Sequence, residues 1–215
     1  MNIINKTIIK TSVAIILTLC TSPKLFSQLS DAAGATLFQF DQKSGQKPWT
    51  IINDDVMGGI SKSKISVKNG IASFKGIVSL ENNGGFASTR ALIPKGSIKD
   101  SNAIIIKVKG DGKIYKLSLR SGAQWNTANY QISFQTKKDE WLEHTLLIED
   151  MKPTWRGRNL TLPRMNPKDV GLIGLSISDK QSGPFQIEID WIKAVKAPKK
   201  SEVYPTQMPY TEIGI

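Results

Sequence analysis

The chain has 215 residues, enough for one domain with a sizeable core, and a formal net charge of +11. A single histidine and a single cysteine exclude a histidine-cluster metal site and a disulfide framework. No run of Lys or Arg exceeds two residues and no recurring nucleic-acid motif is present, so the charge implies acidic partners or anionic surfaces, not nucleic acid.

Residues 1–27 stand apart. Lys6 and Lys10 precede an uncharged apolar run over 11–20, and a short polar stretch then leads to LFSQ at 25–28. That order predicts a secretory signal peptide cut after Ser27. The run is shorter than the roughly 20 apolar residues that a spanning helix needs. The segment also contains no Arg, which a mitochondrial presequence favours. The expected location is therefore exported, in a bacterial periplasm or envelope. LTLC at 17–20 partly resembles a lipobox, but Leu19 stands where a small residue is expected, so lipid anchoring at Cys20 is the lesser alternative. Cleavage would remove Lys6, Lys10, Lys24 and the cysteine, leaving a net charge of +8 and no thiol chemistry. A cysteine-free mature chain suits a bacterial envelope better than animal secretion. Residues 28–35 read as a leader, 36–195 as one domain, and 196–215 as an extended or disordered tail carrying Pro198, Pro205 and Pro209.

The domain reads as all-β. Candidate strands fall at 37–40, 63–67, 72–78, 86–92, 103–108, 115–120, 130–135, 141–148, 172–178 and 185–191. The alternation is plainest in Tyr115, Leu117 and Leu119 against Lys116, Ser118 and Arg120, and in Phe185, Ile187, Ile189 and Trp191 against Gln186, Glu188 and Asp190. No segment shows a helical stripe. About ten short strands at this spacing predict an antiparallel sandwich or barrel. GDGK at 110–113 predicts a tight hairpin turn, and DKQSGP at 179–184 a loop before the last strand.

Two phrases are more specialised than plain turns: WTIINDDVMGGIS at 49–61 and SLENNGGFASTR at 79–90. Each places amide and acidic residues directly before a Gly-Gly pair, which permits close backbone approach, while Asn and Asp oxygens bond local amides. Asn53, Asp54, Asp55, Glu81, Asn82 and Asn83 are therefore candidate site residues. Their simplest role is architectural: Asn53 and Asp54 cap the loop and Asp55 pairs with a cation such as Arg90. Their oxygens could also hold Ca²⁺, which takes six to eight oxygen ligands. A carboxylate pair for glycoside hydrolysis or a lyase is a third reading. WRGR at 155–158 adds Trp155, Arg156 and Arg158, which could grip a carboxylate or phosphate or pair with the acidic loops. Trp125 and Trp155 could stack on a sugar ring. A catalytic triad would have to use His144, which reads better as a strand residue. No G-x-S-x-G, P-loop or G-x-G-x-x-G occurs.

Together with GDGKIY at 110–115, WRGR and DKQSGPF at 179–185, the two loop phrases resemble the complex I intermediate-associated protein 30 family, in order from Trp49 to Ile192. The resemblance implies a galactose-binding-like jelly roll, in which a structural calcium is common. It also implies a non-enzymatic assembly factor holding a respiratory-complex intermediate. Asn53, Asp54, Asp55, Glu81, Asn82, Asn83, Arg90, Trp155, Arg156 and Arg158 are the residues expected to build one face of the sandwich at which partner loops meet. The family's mitochondrial members act inside the organelle, whereas this N-terminus reads as secretory. An exported carbohydrate- or envelope-binding module is the alternative.

Overall fold

A computed structural model describes residues 34–41, 49–124 and 126–198. The expected signal peptide, nearly all of the leader, the tail from residue 199 and Trp125 lie outside them. Thirteen strands follow in chain order: β1 (Ala35–Gln39), β2 (Trp49–Asn53), β3 (Lys62–Lys68), β4 (Ile71–Val78), β5 (Ala87–Leu92), β6 (Ala103–Lys109), β7 (Ile114–Ser121), β8 (Asn129–Gln135), β9 (Trp141–Leu147), β10 (Lys152–Trp155), β11 (Arg158–Asn159), β12 (Val170–Ile177) and β13 (Gly183–Val195). They form two antiparallel sheets packed as a sandwich. One runs β3-β4-β13-β6-β9, with β1 also paired to β13; the other runs β11-β10-β8-β7-β12-β5-β2.

The period-two residues meet between the sheets. Tyr115, Leu117 and Leu119 of β7 and Phe185, Ile187 and Ile189 of β13 are buried in one cluster with Phe74, Ile104, Ile106, Ile173 and Leu175. The Phe74 and Phe185 rings meet edge-on at 5.0 Å. Such contacts add to the hydrophobic stabilisation of about 1.5–3 kcal/mol per large buried side chain. His144 turns inward too. Its ring lies 4.9 Å from Phe134, and burial lowers its pKa below 6.5.

Two expectations are corrected. Trp191 does not continue the Phe185-Ile187-Ile189 face. The register shifts between Ile189 and Trp191, so Ile192 enters the main core and Trp191 packs against a smaller cluster of Ala103, Ile105, Val195 and Ala197. One extra residue in a strand reverses the parity of everything after it. GDGK is not a hairpin, because β6 and β7 belong to different sheets. Asp111 instead ties the crossing together, accepting bonds from the Lys113 N–H (3.1 Å), the buried Tyr115 hydroxyl (3.1 Å) and the Gln186 N–H (3.0 Å). WRGR is a hairpin: Trp155 pairs with Arg158 across Arg156 (φ 47°) and Gly157 (φ 78°). Two successive positive φ values are what a two-residue type I′ turn requires.

The connections β2–β3 and β4–β5 also cross between the sheets, and they do so at the same end of the sandwich. That topology brings the two Gly-Gly loops together.

Candidate functional site

Asp54 is the centre of the two loops. It is fully buried at the start of a short 3₁₀ turn, Asp54–Met57. Oδ1 accepts the Ser61 N–H at 2.9 Å. Oδ2 accepts the Ser61 hydroxyl at 2.5 Å, the Gly85 N–H at 2.7 Å and the Phe86 N–H at 3.2 Å. Two of these donors come from its own loop and two from the other, 31 and 32 residues away in sequence. Burial raises the carboxyl pKa, but the bonds from the Ser61 hydroxyl and the Gly85, Ser61 and Phe86 amides outweigh it, so the value lies below 3.8. Ser61 Oγ in turn accepts the Ser79 N–H at 3.0 Å.

The glycines explain themselves here. A Cβ at Gly59 would lie 2.4 Å from Asp54 Oδ1, and one at Gly84 would lie 2.7 Å from Asp54 Oδ2. Both positions require close approach of backbone to a buried carboxylate.

The expected division of labour in the loops is half right. Asp54 does lock backbone amides. Asn53 ends β2 and accepts the Ser63 hydroxyl at 2.6 Å instead of capping the turn. Asp55 is exposed and accepts only the neighbouring Val56 N–H at 3.1 Å; no Asp55–Arg90 ion pair forms among the described residues. Glu81, Asn82 and Asn83 are exposed on the second loop, the two asparagines in left-handed backbone at φ 53° and 60°. The calcium set does not assemble. Asp54 spends its lone pairs on four donors, and no group of three or more His, Cys, Asp or Glu is placed to hold a metal among the described residues. The same four bonds remove Asp54 from the carboxylate pair that glycoside hydrolysis needs.

The other candidates lie elsewhere. Arg90 sits in β5 opposite Thr50 and Gly174. Trp155, Arg156 and Arg158 form the β10–β11 hairpin at the far edge of the same sheet, with Arg156 against the Trp155 ring at 5.6 Å. Five strand spacings separate β10 from β2, roughly 24 Å. The hairpin also lies at the opposite end of the strands from Asp54. Arg156 and Arg158 therefore neither weld the acidic loops nor share a face with them.

Two features were missed from the sequence. The loop tips carry apolar side chains that the fold leaves in solvent: Val56 (67% exposed), Met57 (57%), Ile60 and Leu80. Their signal was legible as large apolar residues inside a glycine- and acid-rich loop. The second is a polar outer face on the seven-stranded sheet, including Ser118, Arg120 and Asn129. Its signal lay in the polar members of the β7 and β8 alternation.

Comparison with known proteins bears on both loops and fold. Residues 38–189 match the family described as Complex I intermediate-associated protein 30. This chain belongs to that family. The mouse protein named Complex I intermediate-associated protein 30, mitochondrial, is 25% identical over 191 residues, covering 78% of this chain and 58% of the mouse protein. The chain thus spans little more than half the length of that relative. Among solved structures, a family 11 carbohydrate-binding module of a cellulosomal cellulase from Clostridium thermocellum superposes with a TM-score of 0.58 at 15% identity, covering 78% of this chain and 97% of the module. An agarase superposes at 0.54 and 8% identity, covering 77% of this chain and 25% of the enzyme. These likenesses agree with the two packed sheets in showing an antiparallel β-sandwich.

Proposed function

We propose that this chain is a non-enzymatic binding module that holds a protein partner during assembly of a larger complex. The carrying observation is the pair of apolar loop tips. Val56, Met57, Ile60 and Leu80 are exposed, yet the loops bearing them are joined through a buried carboxylate with four hydrogen bonds. Exposed apolar groups on a braced support suit a protein partner, since burying them costs little conformational entropy. Asp55, Glu81, Asn82 and Asn83 surround the tips and supply a polar rim. Family membership supports this reading, because the mouse relative is named for association with complex I intermediates. The partner class is a subunit of a respiratory or other multisubunit complex that exposes an apolar segment before assembly.

We further propose that the chain works outside the cytoplasm, as the Lys6–Lys10 charge and the uncharged run over 11–20 suggest. Among the described residues no helix is long and apolar enough to cross a membrane.

The test is affinity capture from native membrane and envelope extract, with subunits identified by mass spectrometry. The expected result is recovery of a defined set of subunits of one complex. Recovery is lost in the Val56→Asp/Met57→Asp double variant, whose melting temperature matches the parent. Equal recovery by the variant, or no subunit set at all, overturns the reading.

A further inference from the structure

The outward face of the six-stranded sheet has two halves of different charge character. On the β13–β6 side the charges are matched: Glu188 pairs with Lys109 at 2.8 Å and Asp190 with Lys107 at 3.0 Å. On the β3–β4 side they are not. Alternation in β3 turns Ile65 and Val67 toward the core and leaves Lys62, Lys64, Ser66 and Lys68 outward and exposed. In β4, Phe74 and Val78 are buried while half-buried Lys75 and exposed Ile77 face outward beside them. β3 and β4 contain no Asp or Glu. Lys62, Lys64, Lys68 and Lys75 make no ion pair among the described residues.

Lysines on an outermost strand serve to block edge-to-edge pairing, and β3 is such a strand. That purpose does not account for Lys75. β4 is an interior strand, paired with β3 on one side and β13 on the other. Lys75 stands directly opposite Lys64. Opposed side chains of an antiparallel pair lie roughly 4.5–5.5 Å apart at Cβ, and like charges there destabilise the sheet. A repulsion kept in this place fits a surface that meets negative charge. β3 is 7 residues long, so its lysines spread over roughly 20 Å. Ile77, 59% exposed, stands between Lys62 and Pro184 on the same face.

We propose that the β3–β4 face docks on an anionic lipid surface. Lysine carries a compact point charge, with no planar fork to select one oxyanion. Point charges spread along a strand suit many headgroup phosphates better than a single bound phosphate. Arg and aromatic anchors mark protein hot spots, and the two strands hold neither apart from the inward-facing Phe74. Each lysine near a negative bilayer surface adds to the attraction, and Ile77 is placed to enter the headgroup boundary. Lys62 directly follows the first Gly-Gly loop and Val78 directly precedes the second. A chain seated this way holds the loop tips beside the bilayer, where a membrane subunit emerges. The docking itself uses other residues and does not depend on the assembly reading.

The test is cosedimentation of the full chain with vesicles of phosphatidylcholine alone and of phosphatidylglycerol mixed with phosphatidylcholine. The quantity read is the gain in affinity on adding phosphatidylglycerol, which cancels any contribution of the apolar run over 11–20. The parent should gain at least about ten-fold, less as salt rises. Lys62→Gln/Lys64→Gln/Lys75→Gln should lose most of that gain, with the melting temperature kept or raised because the opposed charges are gone. Lys62→Gln/Lys68→Gln, confined to the edge strand, should act in the same direction and keeps the test decisive if the triple variant fails to fold. Lys95→Gln/Lys152→Gln/Lys168→Gln removes equal charge from exposed positions elsewhere and should keep the gain within about two-fold. Val56→Asp/Met57→Asp should also keep it, so failure here and failure of the assembly reading are separable. No gain in the parent, a gain that survives the β3–β4 variants, or an equal loss in the variant with charges removed elsewhere overturns the proposal.

Discussion

Asp54 and Asp55 are adjacent and chemically identical, yet the fold treats them as opposites. Asp54 is enclosed by four donors and Asp55 faces water. Asp54→Ala leaves the buried Ser61 amide and the partly buried Gly85 and Phe86 amides without their acceptor, so about 3 kcal/mol of stability should be lost in urea unfolding. Asp55 was expected to pair with a cation such as Arg90 and instead accepts only the neighbouring Val56 N–H through its carboxylate, so Asp55→Ala should stay within about 0.5 kcal/mol. Their pairing in the sequence marked the loop but not which carboxylate turns inward. The direction is set by amides 31 and 32 residues away. His144 gives a pH signature. Its pKa is lowered in the folded protein, so between the folded value and 6.5 the unfolded chain binds the additional proton. Stability should therefore decline as pH falls below about 6.5, and His144→Phe should flatten that part of a melting-temperature profile measured from pH 8 to 5. The Asp54 contribution runs to lower pH. It is present above about 3.9 and is lost as pH falls through the depressed folded value.

At the scale of single elements, the glycines separate two kinds of constraint. Gly58 closes the first 3₁₀ turn at φ 91° with open space where a Cβ would stand, so Gly58→Ala should cost about 1–2 kcal/mol from backbone conformation alone. Gly59→Ala drives a Cβ to 2.4 Å from the Asp54 carboxylate and should cost more, because it displaces the group holding both loops. Denaturant melts of the two variants decide the order. Strand identity was largely legible, since alternation exposes one buried face. β2, β10 and β11 were not, for a physical reason. Trp49, Thr50, Ile51 and Ile52 do not alternate, and β10–β11 is short, polar and interrupted by Pro153. The β13 bulge was also invisible, because Trp191 continues the apolar alternation on paper and is redirected only by its pairing with β6.

For the whole molecule, the decisive fact is that several connections pass from one sheet to the other at the end carrying Asp54. Asp54 links β2–β3 to β4–β5, Asp111 links β6–β7 to β13, and Lys116 reaches Asp179 at 2.6 Å in the connection before β13. This end should therefore open as one unit. Hydrogen exchange at Gly85, Phe86 and Ser61 should be slow in the parent protein and accelerate together in Asp54→Ala, while amides of the β10–β11 hairpin keep their parent rates. Acceleration at Ser61 alone would show that the loops are not coupled.

The sequence by itself determined the all-β class, the two Gly-Gly loops and the family, because alternation and local turn chemistry act over a few residues and survive without a partner. Only the tertiary structure decided which residues share a surface. It moved WRGR to the far edge from the acidic loops and replaced a calcium or catalytic carboxylate set with a four-bonded structural aspartate. Those outcomes depend on strand order and sheet crossing, which join residues tens of positions apart and leave no periodic trace along the chain.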